Sequence, residues 1–517
     1  MVQFPSSPHP SRRAVLGLAL AASAGLAHPV ARARATTPGP MLTRDLYDQL
    51  EADFYLNGAA KPSSLNESGG KLAWGQSHVL KSYITMYERF EDPAYLRLLV
   101  RNADQIFATR DSVRGVTDYS GRSLPGWRSR DPYTASSAIF LDTDQQRCLE
   151  IRAAQGQSIE VKITIAHEGG DRFSIFADHP RITDQLFSNL TMDRTSPDYV
   201  VARILAAAPT NAGITVVDRR ADPTRPVLPR EGTWGLKTNY YVMAVNTGMI
   251  TLAIAEFCAL VAARPELQTE FGAIAAGYAD LVAEAVAVHD PDWRQSGHFG
   301  WYAAPRGAPV LFDGSDLPHN QYLVLGAVQL HLHRATGDPT YLERARRMFT
   351  TFRCDLARNG DGGLVWPYWW SRGNFGRGYD QADDISDYQP AQRPVPAVED
   401  TSHGVIELWA MLAGLRYGVV FRQRDLQAMA QTFVSRIAVS AAASPDGLPS
   451  TSQRVDGTSN VGAVGTNNRT VGNWALLAPW DQRVQAHLQA VFEARNLPVE
   501  HGYTLNSIAS IVAFAPR

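Results

Sequence analysis

The stretch AVEDTSHGVIELW, from Ala397 to Trp409, sets two adjacent carboxylates, two hydroxyls and a histidine directly ahead of an apolar run at helical spacing. A carboxylate and an imidazole in one short segment are the side chains that general acid–base chemistry uses. The same residues also read as a helix start. Thr401 or Ser402 can cap it, and Glu399 and Asp400 lie where a helix dipole favours negative charge. Capping accounts for the acids. It does not account for His403, in the first turn, where a neutral imidazole gains nothing from the dipole.

Four other segments concentrate hydrogen-bonding and aromatic side chains. KLAWGQSH supplies Trp74, Gln76 and His78, and LPHNQY supplies His319, Asn320 and Gln321, each at the start of a helical run. KTNYYVMAVNTG adds Asn239, Tyr240, Tyr241 and Asn246 ahead of another. GGLVWPYWWSRGNFGRGYD carries Trp366, Tyr368, Trp369, Trp370 and Arg372. Taken singly, Trp74, Trp366 and Trp409 read as core, because large aromatics dominate interiors. The cluster of Trp366, Tyr368, Trp369 and Trp370, interrupted by Pro367 and followed by glycines, reads instead as an exposed stacking surface for sugar rings. Asp380, Asp383, Asp384 and Asp387 lack the glycine-punctuated spacing of a calcium loop and read as a solvated acidic loop. His331 and His333, two apart on a helix, point to different sides. There is no P-loop, dinucleotide fingerprint, H-E-x-x-H or G-x-S-x-G, and the reading names neither a metal nor a cofactor.

The elements that must position these residues are helical hairpins. HVLKSYITMYERFEDPAYLRLLVRNADQIF and LVLGAVQLHLHRATGDPTYLERARRMFTTF align on Asp92-Pro93 and Asp338-Pro339. In each, one helix ends, Asp caps the next and Pro takes its first position, where no amide hydrogen is needed. Weaker copies run from Met249 to Val288 and from His403 to Ile437. Repeated hairpins bury their apolar faces on their neighbours. The expectation is a mainly α fold, an α/α toroid of helical hairpins over 36–116 and 231–517, with one β-rich insertion over 117–230. Within that insertion SIEVKITIAH and DRFSIFAD alternate at period two across the glycine turn HEGGD, SPDYVVARILAAA reads as a short helix and GITVVD as a strand.

Bulk composition narrows the partners. The chain has 517 residues, 45% apolar and 19% charged, with a formal net charge of -2, so it is globular and shows no footprint for nucleic acid. Its three cysteines, Cys148, Cys258 and Cys354, are too scattered for a disulfide framework. Arg12 and Arg13, the apolar run Ala14 to Ala27 and Ala33-Arg34-Ala35 make residues 1–35 an export signal of twin-arginine type, cleaved after Ala35. No other stretch reads as a membrane span. The mature chain is expected to be soluble and periplasmic or extracellular.

The motifs AWGQSH, GDPTYLERA, GGLVWPYW and EDTSHG, set on hairpins, resemble those of the α/α-toroid carbohydrate-active enzymes: six-hairpin glycosidases, uronate polysaccharide lyases and the helical domain of glucuronyl C5-epimerases. The resemblance implies a carbohydrate partner and leaves the reaction open. In proton abstraction at C5 of a uronate, His403, Tyr240 or Tyr241 serves as base or acid, while Asn320, Gln321 and Arg372 neutralise the carboxylate. In hydrolysis, Glu399 or Asp400 works against Asp316 or Glu231. Trp74, Gln76, His78, His319, Trp366, Tyr368, Trp369 and Arg372 would bind the sugar. The first chemistry is preferred because histidine, tyrosine and amides crowd the helix starts, leaving Glu399 and Asp400 to cap and orient. A carbohydrate-binding protein without turnover is the remaining reading.

Overall fold

A computed structural model describes residues 42–56, 69–130, 133–153, 161–179, 183–207, 213–458, 470–497 and 499–515. The export signal expected over residues 1–35 lies outside the described residues. About half of the structure is helical, accompanied by small antiparallel sheets.

The Asp-Pro signature builds hairpins as its chemistry dictates. Asp92 Oδ1 accepts from Ala94 N at 2.9 Å to start the Pro93–Phe107 helix, directly after Ser77–Phe90. Asp338 Oδ1 accepts from Thr340 N at 2.8 Å to start Pro339–Arg353, after His319–Thr336. The turn between the latter pair passes through Gly337 at φ 81°, a left-handed conformation that glycine adopts without strain. Ala244–Ala263 is followed by Pro265–Ala287, with Pro at its start but Arg264 in place of the capping Asp, and Gly404–Arg416 by Gln423–Thr432, which has neither the Asp nor the Pro.

The first helix of each pair is the more deeply buried. Ser77–Phe90 packs against Ala244–Ala263, which packs against His319–Thr336, which packs against Gly404–Arg416. Gly404–Arg416 touches the 3₁₀ turn Val471–Leu477, this turn touches Gly502–Ala513, and Gly502–Ala513 packs on Ser77–Phe90. A helix with neighbours on every side needs apolar residues on every side. Ala244–Ala263 meets that demand so fully that it is long and apolar enough to cross a membrane. This corrects the expectation that no such stretch follows the N-terminus; the apolar length here serves the core, in which the helix is buried. Charge ties the same helices together: Lys81 and Arg416 both pair with the buried Glu256, and Arg416 Nη2 reaches Glu88 Oε1 at 2.7 Å.

Between the Pro93–Phe107 and Ala244–Ala263 helices lie two four-stranded antiparallel sheets. The strands are β1 (Ser136–Leu141), β2 (Arg147–Ala153), β3 (Lys162–Gly169), β4 (Arg172–Asp178), β5 (Gln185–Leu190), β6 (Ile214–Asp218), β7 (Gly232–Gly235) and β8 (Lys237–Thr238). One sheet has the order β6-β2-β1-β8 and the other β5-β4-β3-β7. Period-two burial along β3 and β4 sends Ile163, Ile165, Phe173 and Ile175 into an apolar core separate from that of the helices. Arg152 of β2 joins this part to the loop after residue 380, lying 4.7 Å over the Tyr388 ring and 3.4 Å from Asp387. In that loop Asp384 and Asp387 are occupied by Arg306, at 2.6 and 2.8 Å, while Asp380 and Asp383 cap a short 3₁₀ turn.

Candidate functional site

The site grows from the start of the Gly404–Arg416 helix, and its capping departs from the expected pattern. Thr401 is buried and donates to Ser452 O at 3.0 Å, and Ser402 Oγ donates to Asp400 Oδ1 at 2.5 Å, so neither hydroxyl caps. Asp400 Oδ1 instead collects Ser402 N at 2.9 Å and His403 N at 3.0 Å. An Asp accepting from backbone two and three residues on forms a local turn, which leaves its second oxygen free. That oxygen, Oδ2, lies 2.5 Å from His403 Nδ1. Glu399 caps nothing: its Oε1 accepts from Asp400 N at 2.8 Å and its Oε2 from Asn320 Nδ2 at 3.1 Å.

Backbone bonds lace three segments into this arrangement. Tyr368 N donates to Ala397 O at 2.7 Å, Glu399 N to Trp366 O at 3.1 Å and His319 N to Tyr368 O at 3.1 Å. The tryptophan-rich segment, the start of the His319–Thr336 helix and the acidic segment are therefore fixed together, although they are far apart in sequence. The Trp74 ring lies 5.6 Å from His403 and the Tyr368 ring 6.0 Å from it. Trp74, Tyr368, Asp400, Ser402 and His403 are half-buried, whereas Asn320, Trp366, Glu399 and Glu407 are buried beneath them.

Electrostatics divides these groups sharply. Burial alone would raise the Asp400 carboxyl, but the charge and hydrogen bond of His403 outweigh it and hold Asp400 far below the usual carboxylate range. Burial pulls His403 down, and Asp400 overcomes it, carrying the imidazole up to about 9. Glu399 is pushed well up by burial and by Glu407 and Asp400 beside it. Tyr368 is pushed up by burial and then by the charge of Glu399, so its phenol keeps its proton.

The remaining expected site residues divide into those with other employment and those in other places. Gln76 Nε2 donates to Asn102 at 2.5 Å, and His78 is buried against Trp409 and Tyr503, where burial lowers it to about 4. His319 is fully buried between Tyr322 at 2.5 Å and Asp355 at 3.0 Å. Gln321 is half-buried, its backbone N–H donating to Pro318 O at 3.0 Å. The exposed stacking surface is corrected: Trp366, Trp369 and Trp370 are only 1%, 4% and 6% exposed. Other rings cover them, Phe375 of the same segment stacking on Trp369 at 4.3 Å and the distant Trp301 meeting Trp370 at 4.7 Å. Arg372 lies over the Phe299 ring.

Tyr240 and Tyr241 are not brought to His403. Tyr241 is buried against Tyr119 and pairs through its backbone with Ser129; Tyr240 lies beneath the Arg128 guanidinium at 3.9 Å. The carboxylate partners considered for hydrolysis are engaged elsewhere. Asp316 accepts from Asn374 N at 2.5 Å, and Glu231 from His167 N at 2.7 Å in the sheets. The residue the sequence reading missed is Glu407. Its signal was a single acid in the apolar run GVIELWAML, one helical turn beyond His403 and thus on the same face.

Among the described residues, one group of His, Asp and Glu atoms lies within 4.8 Å of one another, from Glu399, Asp400 and His403. Asp400 and His403 spend their facing atoms on each other, and Glu399 spends its own on Asn320 and Asp400 N.

Among solved structures the chain is similar to a family 76 glycoside hydrolase from a bovine Bacteroides thetaiotaomicron strain, at 12% identity and a TM-score of 0.30, over 70% of this chain and 78% of that one. No family model matches the chain, and no curated protein matches it. The functional reading therefore rests on the residues of the site.

Proposed function

We propose that this chain is a carbohydrate-active enzyme, built as an α/α toroid, in which His403 oriented by Asp400 moves a proton at a sugar ring held between Trp74 and Tyr368. The observation that carries the reading is a histidine–aspartate dyad left half-open to solvent between two aromatic rings, with the acids around it buried. Aromatic faces bind the apolar face of a sugar, and an imidazole whose Nδ1 is held by a carboxylate presents Nε2 in a fixed direction. Support for the toroid comes from the helix neighbours, which return from Gly502–Ala513 to Ser77–Phe90. The strand-rich part, with its own apolar core, is then an insertion in the ring, and residues 1–35 an export signal.

For the reaction we favour proton transfer at C5 of a uronate, in an elimination or an epimerisation. His403 takes the C5 proton when neutral, and the Tyr368 phenol donates toward the leaving oxygen or the developing enolate. Glycoside hydrolysis is the second reading. It is favoured by Asp400, which His403 holds ionised and which stands half-open to solvent, as a hydrolytic carboxylate must.

Incubating the mature chain with uronate-containing and neutral polysaccharides tests both. Ultraviolet absorbance from a new unsaturated uronate marks elimination, solvent deuterium incorporated at C5 without cleavage marks epimerisation, and reducing ends without either mark hydrolysis. Saturable binding with no product would leave only a carbohydrate-binding protein.

A further inference from the structure

Glu407 and Glu399 meet in the interior below the dyad, and both are fully buried. Two buried carboxylates side by side are strongly unfavourable while both are charged. The ionisable groups facing the pair are Asp400 and His403 from the turn before the helix, Tyr368 from the tryptophan-rich segment and Tyr322 from the His319–Thr336 helix. His403 is the cation among them, and Asp400 already holds it. A proton is therefore the means of neutralising the pair.

Both Glu399 oxygens already accept, from Asp400 N and from Asn320 Nδ2. Neither Glu407 oxygen meets a donor at bonding geometry, although the Trp366 indole is close by. An ionised carboxyl is an acceptor only, whereas a protonated one carries its own donor. The mutual hydrogen bond of the two carboxyls acts upward on Glu399 and downward on Glu407, whereas the two N–H donors on Glu399 favour its ionised form, so the two carboxyls share one proton.

We propose that Glu399 and Glu407 share one proton at neutral pH and that Glu407 is a positioning residue, locking the carboxyl that in turn holds the Asn320 amide and the Asp400 backbone under the substrate face. Only the link to turnover rests on the proposed reaction; the shared proton is a property of the folded chain and is tested without substrate.

The test uses the mature chain and the variants Glu407→Gln, Glu399→Gln and the double variant. Burial pushes Glu407 up to about 8 from an ordinary value of 4.5. Between those values the folded chain holds a proton that the unfolded chain has released, so the wild type loses stability as pH rises through this window. Glu407→Gln has no such proton. Its Tm relative to wild type should climb from pH 5 to about 8 and then level off. Infrared spectra at neutral pH should show a protonated-carboxyl band in the wild type that Glu407→Gln lacks. The effects of the two single variants on Tm should not add in the double variant, because the carboxyls titrate as a pair. Should Glu407→Gln fail to fold, Glu399→Gln carries the same comparison, with its carboxyl band shifted from that of the wild type. A Tm difference that is flat with pH, or an infrared band unchanged in both single variants, overturns the proposal. So does a stoichiometric divalent ion in the purified chain that Glu399→Gln releases, since the ion would stand in place of the proton.

Discussion

His403 Nδ1 and Asp400 Oδ2 lie 2.5 Å apart with side chains 28% and 27% exposed, a charged pair at the protein surface that remains open to a ligand. Asp400 raises the imidazole to about 9 from its ordinary 6.5. A group whose folded value is raised contributes stability that is complete below its unfolded value and is lost as pH rises through the folded one. The dyad's contribution should therefore be intact between pH 3.8, the ordinary value of Asp400, and 6.5, disappear toward pH 9, and fade again as acid protonates Asp400. Proton NMR of the His403 ring should show the high titration point, and Asp400→Asn should move it down, with burial then acting unopposed. A ring that titrates at the same pH in wild type and Asp400→Asn would contradict the pairing.

The proposed reaction makes a demand on the same residue. With His403 as the base, activity should rise with pH up to about 9, because only the neutral ring accepts a proton. With His403 as the acid, activity should instead fall through that pH. His403→Ala should cost about a hundredfold or more in turnover on whichever polysaccharide responds, with stability changed by about 1 kcal/mol. Parallel assays of rate and thermal unfolding separate the two effects, and a stable, fully active variant removes His403 from the mechanism.

Local chemistry made the hairpins and strands legible. Asp92-Pro93 and Asp338-Pro339 announce caps that depend on neighbouring residues alone, and the period-two run at Lys162 announces a strand. The site was legible in part: the EDTSHG segment shows its acids and histidine together, but not which oxygen holds which donor. Asp400 forms its turn with one oxygen and orients His403 with the other, while Glu399 reaches back to Asn320, 79 residues away. Partners that come from distant segments leave no local trace. The same reason misplaced the tryptophans, because an apolar loop looks exposed until Phe299 and Phe312 are folded over it.

That correction separates two tryptophans by experiment. Trp369 is buried on Phe375, so Trp369→Ala should destabilise the chain by about 3–5 kcal/mol, visible as a large loss in denaturant midpoint. Trp74 stands half-buried beside His403, so Trp74→Ala should weaken sugar binding several-fold in calorimetry and cost less stability than Trp369→Ala. Equal losses of stability with unchanged binding would remove Trp74 from the substrate face.

Asn320 carries the most specific prediction, because its side-chain bond to Glu399 joins a helix start to the acidic segment. Asn320 Nδ2 donates to Glu399 Oε2 at 3.1 Å, with both residues buried. Removing the amide leaves a buried oxygen without its donor, which costs about 1–3 kcal/mol, so Asn320→Ala should lower stability by that amount. Asn320→Asp tests the polarity of the bond at nearly constant volume. At neutral pH it sets a third carboxyl against Glu399 and Glu407, so it should be more destabilising than alanine, and protonating the cluster should reverse the order. Thermal unfolding of both variants between pH 4 and 8 reads this directly: aspartate should be the better tolerated at the acid end and alanine at the neutral end. The same rank at both ends would mean that Asn320 fills space without serving as the donor to Glu399.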